Sequence, residues 1–280
     1  PWRHKGALKQ GFCTDRKWWP KCAPNRSGLK FIILAKISKP YLVPPKGKGA
    51  DYRGYPAIPD REAVAQVYKK AYANNWQVLT HANGDAAVDQ MIYGLRQAVA
   101  QHGPKDLRNV LIHGQYVRPD QLDSLKQLHV VASLFPMHTF YWGDWHTQLI
   151  GEELAQQISP TRTALDKGLK LTIHTDAPVA LPNLMRLVWT AVSRTSRTGK
   201  VIGARERLTP YEAMKCITEW AAHQHGEEAE KGTLAKGKWA DLVVLSENPL
   251  KVETDAIKDI WVQQTIKEGE VVYQRTGSAP

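Results

Sequence analysis

Three residues offer the clearest chemistry in this chain: His81, His113 and Asp176. Each follows a short apolar run of strand-like residues: Gln77 to Thr80, Asn109 to Ile112, and Leu169 to Ile173, the last closed by His174-Thr175-Asp176. Two imidazoles and a carboxylate can hold a divalent metal and leave one position open for water. The ion lowers the pKa of that water, and Asp176 is placed to take and return its proton, which makes this hydrolytic metal chemistry. A single histidine at a strand end is usually a packed or solvated polar residue, so the argument rests on the set. His174 reads most simply as an exposed loop histidine, with a role in orienting a ligand from behind as the alternative. His138 and His146 are further candidates as replacement ligands.

These residues need strands that run the same way, and the sequence supplies them. LKFIIL from Leu29 reads as a buried strand, followed by a long Pro- and Gly-rich loop, PYLVPPKGKGADYRGYPAIP. Asp60 then caps an amphipathic helix with Val64, Val67, Tyr68, Ala71 and Tyr72 at helical spacing. Strand Gln77 to Thr80 leads into a helix from Asp85 to about Gln101. Strand Asn109 to Ile112 leads into a helix entered through Pro119, and a strand from His129 to Leu134 follows. MHTFYWGDWH reads as an aromatic loop, in which Phe140, Tyr141, Trp142 and Trp145 either line a pocket or pack a core. A helix over Thr161 to Lys167 precedes the strand that ends at Ile173. Two helices follow, Leu184 to Arg197 and one after Leu208-Thr209-Pro210 that runs to about His223. Strands alternating with helices, with polar residues at strand C-termini, predict a parallel α/β fold. Beyond Gly226 the short alternating runs GTLAKGKWADLVVL and IWVQQTIKEGEVVYQ predict antiparallel β structure.

Four segments, HANGDAAVD, LIHGQ, IHTDAPV and GTLAKGKWADLVVL, occur in the order and spacing of successive signatures in YtcJ-like metal-dependent amidohydrolases, which the chain resembles over about residues 29 to 275. The resemblance implies an α/β fold made of the later strands of a (β/α)8 barrel, the fourth to the eighth, with part of a small C-terminal β-sandwich. The corresponding division is a basic segment over 1–28, a partial barrel over 29–225 and sandwich strands over 226–280. By the same resemblance, His81 and His113 correspond to the metal-binding histidines after the fifth and sixth barrel strands, and Asp176 to the metal-binding, proton-shuttling aspartate after the eighth. Lys30 resembles the lysine after the fourth-strand region that in some relatives is carbamylated and bridges two metals. The implied cofactor is zinc or another divalent metal, one or two ions. The implied activity is hydrolysis of carbon–nitrogen bonds other than peptide bonds in a small molecule. The family also has a first-strand His-x-His pair, whereas the literal instance here, His223-Gln224-His225, follows a late helix. That departure favours an alternative: a catalytically inactive or regulatory protein, of the type that regulates exoenzyme production.

With 280 residues and 42% apolar composition the chain can bury a substantial core. The net charge of +11 sits entirely in residues 1 to 50, which hold 12 Lys and Arg against the single acid Asp15. With Trp2, Trp18 and Trp19 among them, these bases could grip nucleic acid, but a solvated tail is the simpler expectation, since the rest of the chain is neutral. No window reaches the length of a membrane span, and the opening residues lack a signal-peptide core, so a soluble, cytoplasmic protein is expected. Cys13, Cys22 and Cys216 cannot all pair, which agrees with a reducing compartment. An open barrel with exposed strand edges also predicts self-association into a homo-oligomer.

Overall fold

The computed structural model describes residues 28–33 and 36–277. The segment through residue 27, with its tryptophans and Cys13 and Cys22, lies outside the described residues, as do Leu34 and Ala35. Cys216 is a buried free thiol.

Five strands form one parallel sheet in chain order: β1 (Gly28–Ile32), β2 (Gln77–Ala82), β3 (Val110–His113), β4 (Val131–Leu134) and β5 (Leu171–Ile173). Helix α1 (Arg61–Ala73) joins β1 to β2, α2 (Asp85–His102) joins β2 to β3, and α3 (Pro119–Gln127) joins β3 to β4. Three helices, α4 (Met137–Ile150), α5 (Glu152–Ala155) and α6 (Thr161–Asp166), lie between β4 and β5. After β5 come α7 (Leu184–Ser193), α8 (Pro210–Ile217) and α9 (Glu219–His225). Each strand lies beside its sequence neighbour, so all strand C-termini share one edge, where the chemistry of such sheets is placed.

The two faces of the sheet differ. Tyr68 of α1 hydrogen-bonds the Thr80 hydroxyl, which puts Thr80 on the helix-covered face. His81, one residue on, therefore belongs to the opposite face. The register sets Ile32, His81, Ile112, Ser133 and Thr172 side by side. Ile32 is 43% exposed, so among the described residues this second face is open at its β1 end. The main core lies under the helices, with Val64, Tyr68, Met91, Leu95, Leu111, Leu122 and Leu134 buried.

Local chemistry explains the helices. Asp60 caps α1 by accepting from the Glu62 backbone N–H at 2.9 Å. Gly94 lets α2 approach α1 closely, since a Cβ there would lie 2.5 Å from the Tyr68 ring. The long loop after β1 is pinned to the start of α2, where Asp85 accepts from the Ser38 backbone N–H at 2.7 Å.

Three expectations change. MHTFYWGDWH is not a loop: it forms most of α4. Phe140, Tyr141 and Trp142 are half-buried in succession while Trp145 is exposed, so the rings give no single apolar stripe, and at Gly143 a Cβ would sit 2.6 Å from Ile202. Helix α7 stops at Ser193 rather than Arg197, because Arg194 takes a left-handed backbone (φ 59°) that ends it. The segment after Pro210 is two helices broken at Thr218. At the C-terminus, β6 (Leu242–Leu245), β7 (Val262–Lys267) and β8 (Glu270–Gln274) form a three-stranded antiparallel sheet, one layer where a sandwich has two. No described helix is long and apolar enough to cross a membrane.

Arg194 is fully buried and donates to the carbonyls of Ile202 (3.1 Å), Ser159 (3.1 Å) and Ile158 (2.5 Å). Burial lowers its pKa to about 10. Arg194→Met strands three buried carbonyls and is expected to cost about 3 kcal/mol or more in urea unfolding; a loss under about 1 kcal/mol would show that water replaces the guanidinium.

At the start of α8, Thr209 and Glu212 form a capping box, and Glu212 also accepts from Arg162, which holds its carboxyl down to about 2 from 4.5. A depressed carboxylate stabilises the fold above its unfolded pKa and loses that contribution as pH falls toward the folded one. Glu212→Gln should therefore be less stable by on the order of 1 kcal/mol above pH ~5, with the gap closing toward pH ~2. Parallel thermal melts across that range check it; a gap that does not change with pH contradicts the assignment.

Candidate metal centre

Four polar residues meet at the C-terminal edge of the sheet: His81 at the end of β2, His113 at the end of β3, and His174 and Asp176 just past β5. His113 is central. Its register partners are Ala82 and Leu134, which belong to the helix-covered row. A left-handed backbone at His113 (φ 75°) breaks the strand alternation and lets its ring reach His81 and His174. Asp176 is also left-handed, at φ 53°. Such conformations cost about 1 kcal/mol or more at non-glycine residues, so two of them at one site have to be held by their surroundings.

The rings form a chain. His113 Nε2 lies 3.2 Å from His81 Nδ1, and His113 Nδ1 lies 3.1 Å from His174 Nε2. Ser133 Oγ meets His174 Nδ1 at 3.1 Å, and Asp176 Oδ2 is 3.9 Å from His113 Nε2. Phe135 closes the back of the cluster, stacked on His174 with ring centroids 5.2 Å apart and 5.8 Å from the His113 ring. Burial, with the neighbouring rings and Lys30 as the electrostatic contributors, pushes the His113 pKa down to about 2. Burial takes His174 to about 4, helped by His81 and Lys30, and it also lowers His81. All three rings are therefore neutral near pH 7, the state in which imidazole binds metal.

One ligand atom each from His113, His174 and Asp176 falls within 4.8 Å of the others. Ligand atoms on a tetrahedral zinc stand about 3.3 Å apart. His113 faces His81 through Nε2 at 3.2 Å and His174 through Nδ1 at 3.1 Å, so one ion takes only one of these nitrogens; either spacing is short enough for two donors on a shared ion, and the nitrogen and carboxylate donors suit a divalent ion. The residues present fit a metal.

Of the residues singled out from the sequence, the structure brings His81, His113 and Asp176 into one group. Lys30 is exposed on β1, opposite Leu79, on the same face of the sheet as His81 but two residues before Ile32, the register partner of His81. Its charge lowers the pKa of His81, His113 and His174, but no hydrogen bond or ion pair joins it to them. His174 is half-buried and bonded on both ring nitrogens, which corrects its reading as an exposed loop histidine. The signal for it was present: it follows a strand just as His81 and His113 do. His223-Gln224-His225 belongs to the other end of the sheet, where Gln77 at the start of β2 donates to the Gln224 carbonyl. His138 is buried beside the cluster, its ring centroid 6.0 Å from that of His113. His146 is tied to Gln115 and Tyr116, at 2.6 and 2.8 Å. Two clefts of about 520 and 440 Å³ lie near α7 and β6–β7, and neither is lined by these histidines.

A family model described as "Amidohydrolase family" matches residues 34–273. The N-substituted formamide deformylase of Arthrobacter pascens is 28% identical over 199 residues, 71% of this chain and 36% of its own length. The putative amidohydrolase YtcJ of Bacillus subtilis (strain 168) is 25% identical over 246 residues, 86% of this chain and 45% of its own. An uncharacterised metal-dependent hydrolase from Pyrococcus horikoshii shares the fold, with a TM-score of 0.68 at 24% identity over 81% of this chain and 46% of that one. The chain thus spans less than half the length of these relatives.

Phe135 is 1% exposed and touches three of the rings, His113, His138 and His174. Phe135→Ala is expected to cost about 3–5 kcal/mol in denaturant unfolding, and Phe135→Leu less than about 2. Equal losses would show that the ring geometry, rather than the filled volume, supports the cluster.

Proposed function

The chain belongs to the amidohydrolase family, and from that membership we propose that it carries metal-binding residues of a hydrolase acting on carbon–nitrogen bonds other than peptide bonds. The observation that carries the proposal is the cluster itself: His113, His174 and Asp176 have ligand atoms within 4.8 Å, and His81 is 3.2 Å from the same His113. The five parallel strands then stand for the fourth to eighth strands of a barrel, and β6–β8 for part of its β-sandwich.

In this reading His81, His113 and Asp176 hold a divalent ion, with zinc as the first choice for a nitrogen-rich donor set. His174 either shares that ion or orients His113 through its 3.1 Å contact. Lys30, carbamylated, would exchange a cation that opposes ion binding for an anion that favours it. When bound, the ion supplies Lewis acidity and a more acidic water. Asp176, half-exposed beside His113, accepts the proton of the attacking water and returns it to the leaving nitrogen. Phe135 and the neighbouring rings exclude bulk water from the back of the site. The similarity to an N-substituted formamide deformylase makes small N-substituted amides the first substrates to try.

The test is metal content per chain after purification without chelator and equilibration with micromolar zinc. About one divalent ion per chain is expected, and His113→Ala should weaken zinc affinity at least about 100-fold. A wild-type chain that holds no metal, or a His113→Ala variant that retains it fully, would defeat the proposal.

A further inference from the structure

His138 makes one hydrogen bond, and the direction of that bond fixes the state of the ring. Its Nδ1 lies 3.1 Å from Ser159 Oγ. Ser159 Oγ donates its only hydrogen to the Phe135 carbonyl, at 3.0 Å. A hydroxyl that donates to the Phe135 carbonyl accepts from His138, and this assigns the proton to Nδ1 and a bare lone pair to Nε2.

The support behind this arrangement is rigid. Ser159 has a left-handed backbone (φ 47°), its N–H donates to the Gln115 carbonyl at 2.9 Å, and its own carbonyl accepts from buried Arg194 at 3.1 Å. The hydroxyl oxygen is thus held in place beside Nδ1.

Nε2 has no hydrogen-bond partner among the described residues. The fully buried side-chain atoms without a partner are Asn83 Oδ1, Arg108 Nε and Thr139 Oγ1, and His138 Nε2 is not one of them. The residue is only 6% exposed, so Nε2 is a nearly buried ring nitrogen without a partner in the chain. The nearby donors are committed: Arg194 to three carbonyls, Ser159 to Phe135, and Gln115 to Tyr116 and His146. The ring is walled by Phe135 and Trp142, at 4.6 and 6.1 Å between centroids, and these offer it no hydrogen bond. Asn83 Oδ1, two residues past His81 in the chain, is another acceptor left unsatisfied by the chain.

We propose that His138 is a substrate-recognising residue whose Nε2 accepts a hydrogen bond from a substrate N–H, so that the site selects amides carrying an N–H over fully N-substituted amides. The proposal rests on the amidohydrolase reading for the kind of ligand, and its geometry follows from the ring's place 6.0 Å from His113. A ligand without the donor leaves a desolvated lone pair unpaired, which is how buried polar groups reject close analogues.

The experiment uses the full chain labelled with ¹⁵N-histidine at neutral pH, with the His138 signals assigned by their loss in His138→Phe. Long-range ¹H–¹⁵N spectra are expected to show His138 protonated at Nδ1 and bare at Nε2. N-methylacetamide should then move the Nε2 resonance on titration, and N,N-dimethylacetamide should bind at least about tenfold more weakly without moving it. His138→Phe should bind the two amides alike. A proton on Nε2, equal affinities in the wild type, or no response to either amide would overturn the proposal. Zinc content and hydrolysis are measured on the same samples. Selective N-methylacetamide binding without metal or turnover would keep the His138 assignment and end the hydrolase reading, whereas metal and turnover without selectivity would do the reverse.

Discussion

Parallel pairing in sequence order is the constraint on which the rest depends. Because β2, β3, β4 and β5 all run the same way and each lies beside its neighbour, His81, His113 and His174 leave the sheet at one edge. An antiparallel partner anywhere in that series would send one imidazole to the far end, about a strand length away. Register does the finer work. It aligns His81 with Ile112 and Ser133 on the row facing away from the helices, and Ser133 then meets His174. The one residue that register alone would misdirect is His113, and its left-handed backbone corrects this.

Much of this was legible in the sequence, and the failures have physical causes. Strands rich in Val, Leu and Ile and capped amphipathic helices were visible because burial on one side imposes a period, as in α1 with its Asp60 cap. Helix α4 was not, because its half-buried rings, Phe140, Tyr141 and Trp142, follow one another around the helix and leave no stripe. The end of α7 was missed because Arg194 takes a conformation usually reserved for glycine, at a site where three carbonyls hold its side chain. The convergence of His81, His113 and Asp176 followed from the strand-end rule, which His174 also satisfies, but its burial and its contacts needed coordinates. Burial and hydrogen-bond partners decide whether a loop histidine is exposed, and spacing carries neither. The resemblance to amidohydrolases, drawn from four short segments, agrees with the family match over residues 34–273.

Support for the site comes from behind it. The buried guanidinium of Arg194 holds the carbonyls of Ile158 and Ser159, Ser159 holds His138, and Phe135 lies between His138 and His174. Desolvating a guanidinium without a carboxylate bonded to it is costly. The cost is tolerable here because three carbonyls from two segments are satisfied at once, which ties the end of α7 to the turn before α6. The positions of the rings are thus set by hydrogen bonds with defined directions as well as by packing.

Chain order has one more consequence, in evolutionary terms. His81, His113, His138, His174 and Asp176 all fall between the end of β2 and the turn after β5. The strands that present them pair only with their sequence neighbours, so the whole cluster lies within one continuous segment of chain, residues 81–176. Recombination at either flank would transmit that stretch intact, and lineages could exchange the segments around it while inheriting the histidines as a single unit.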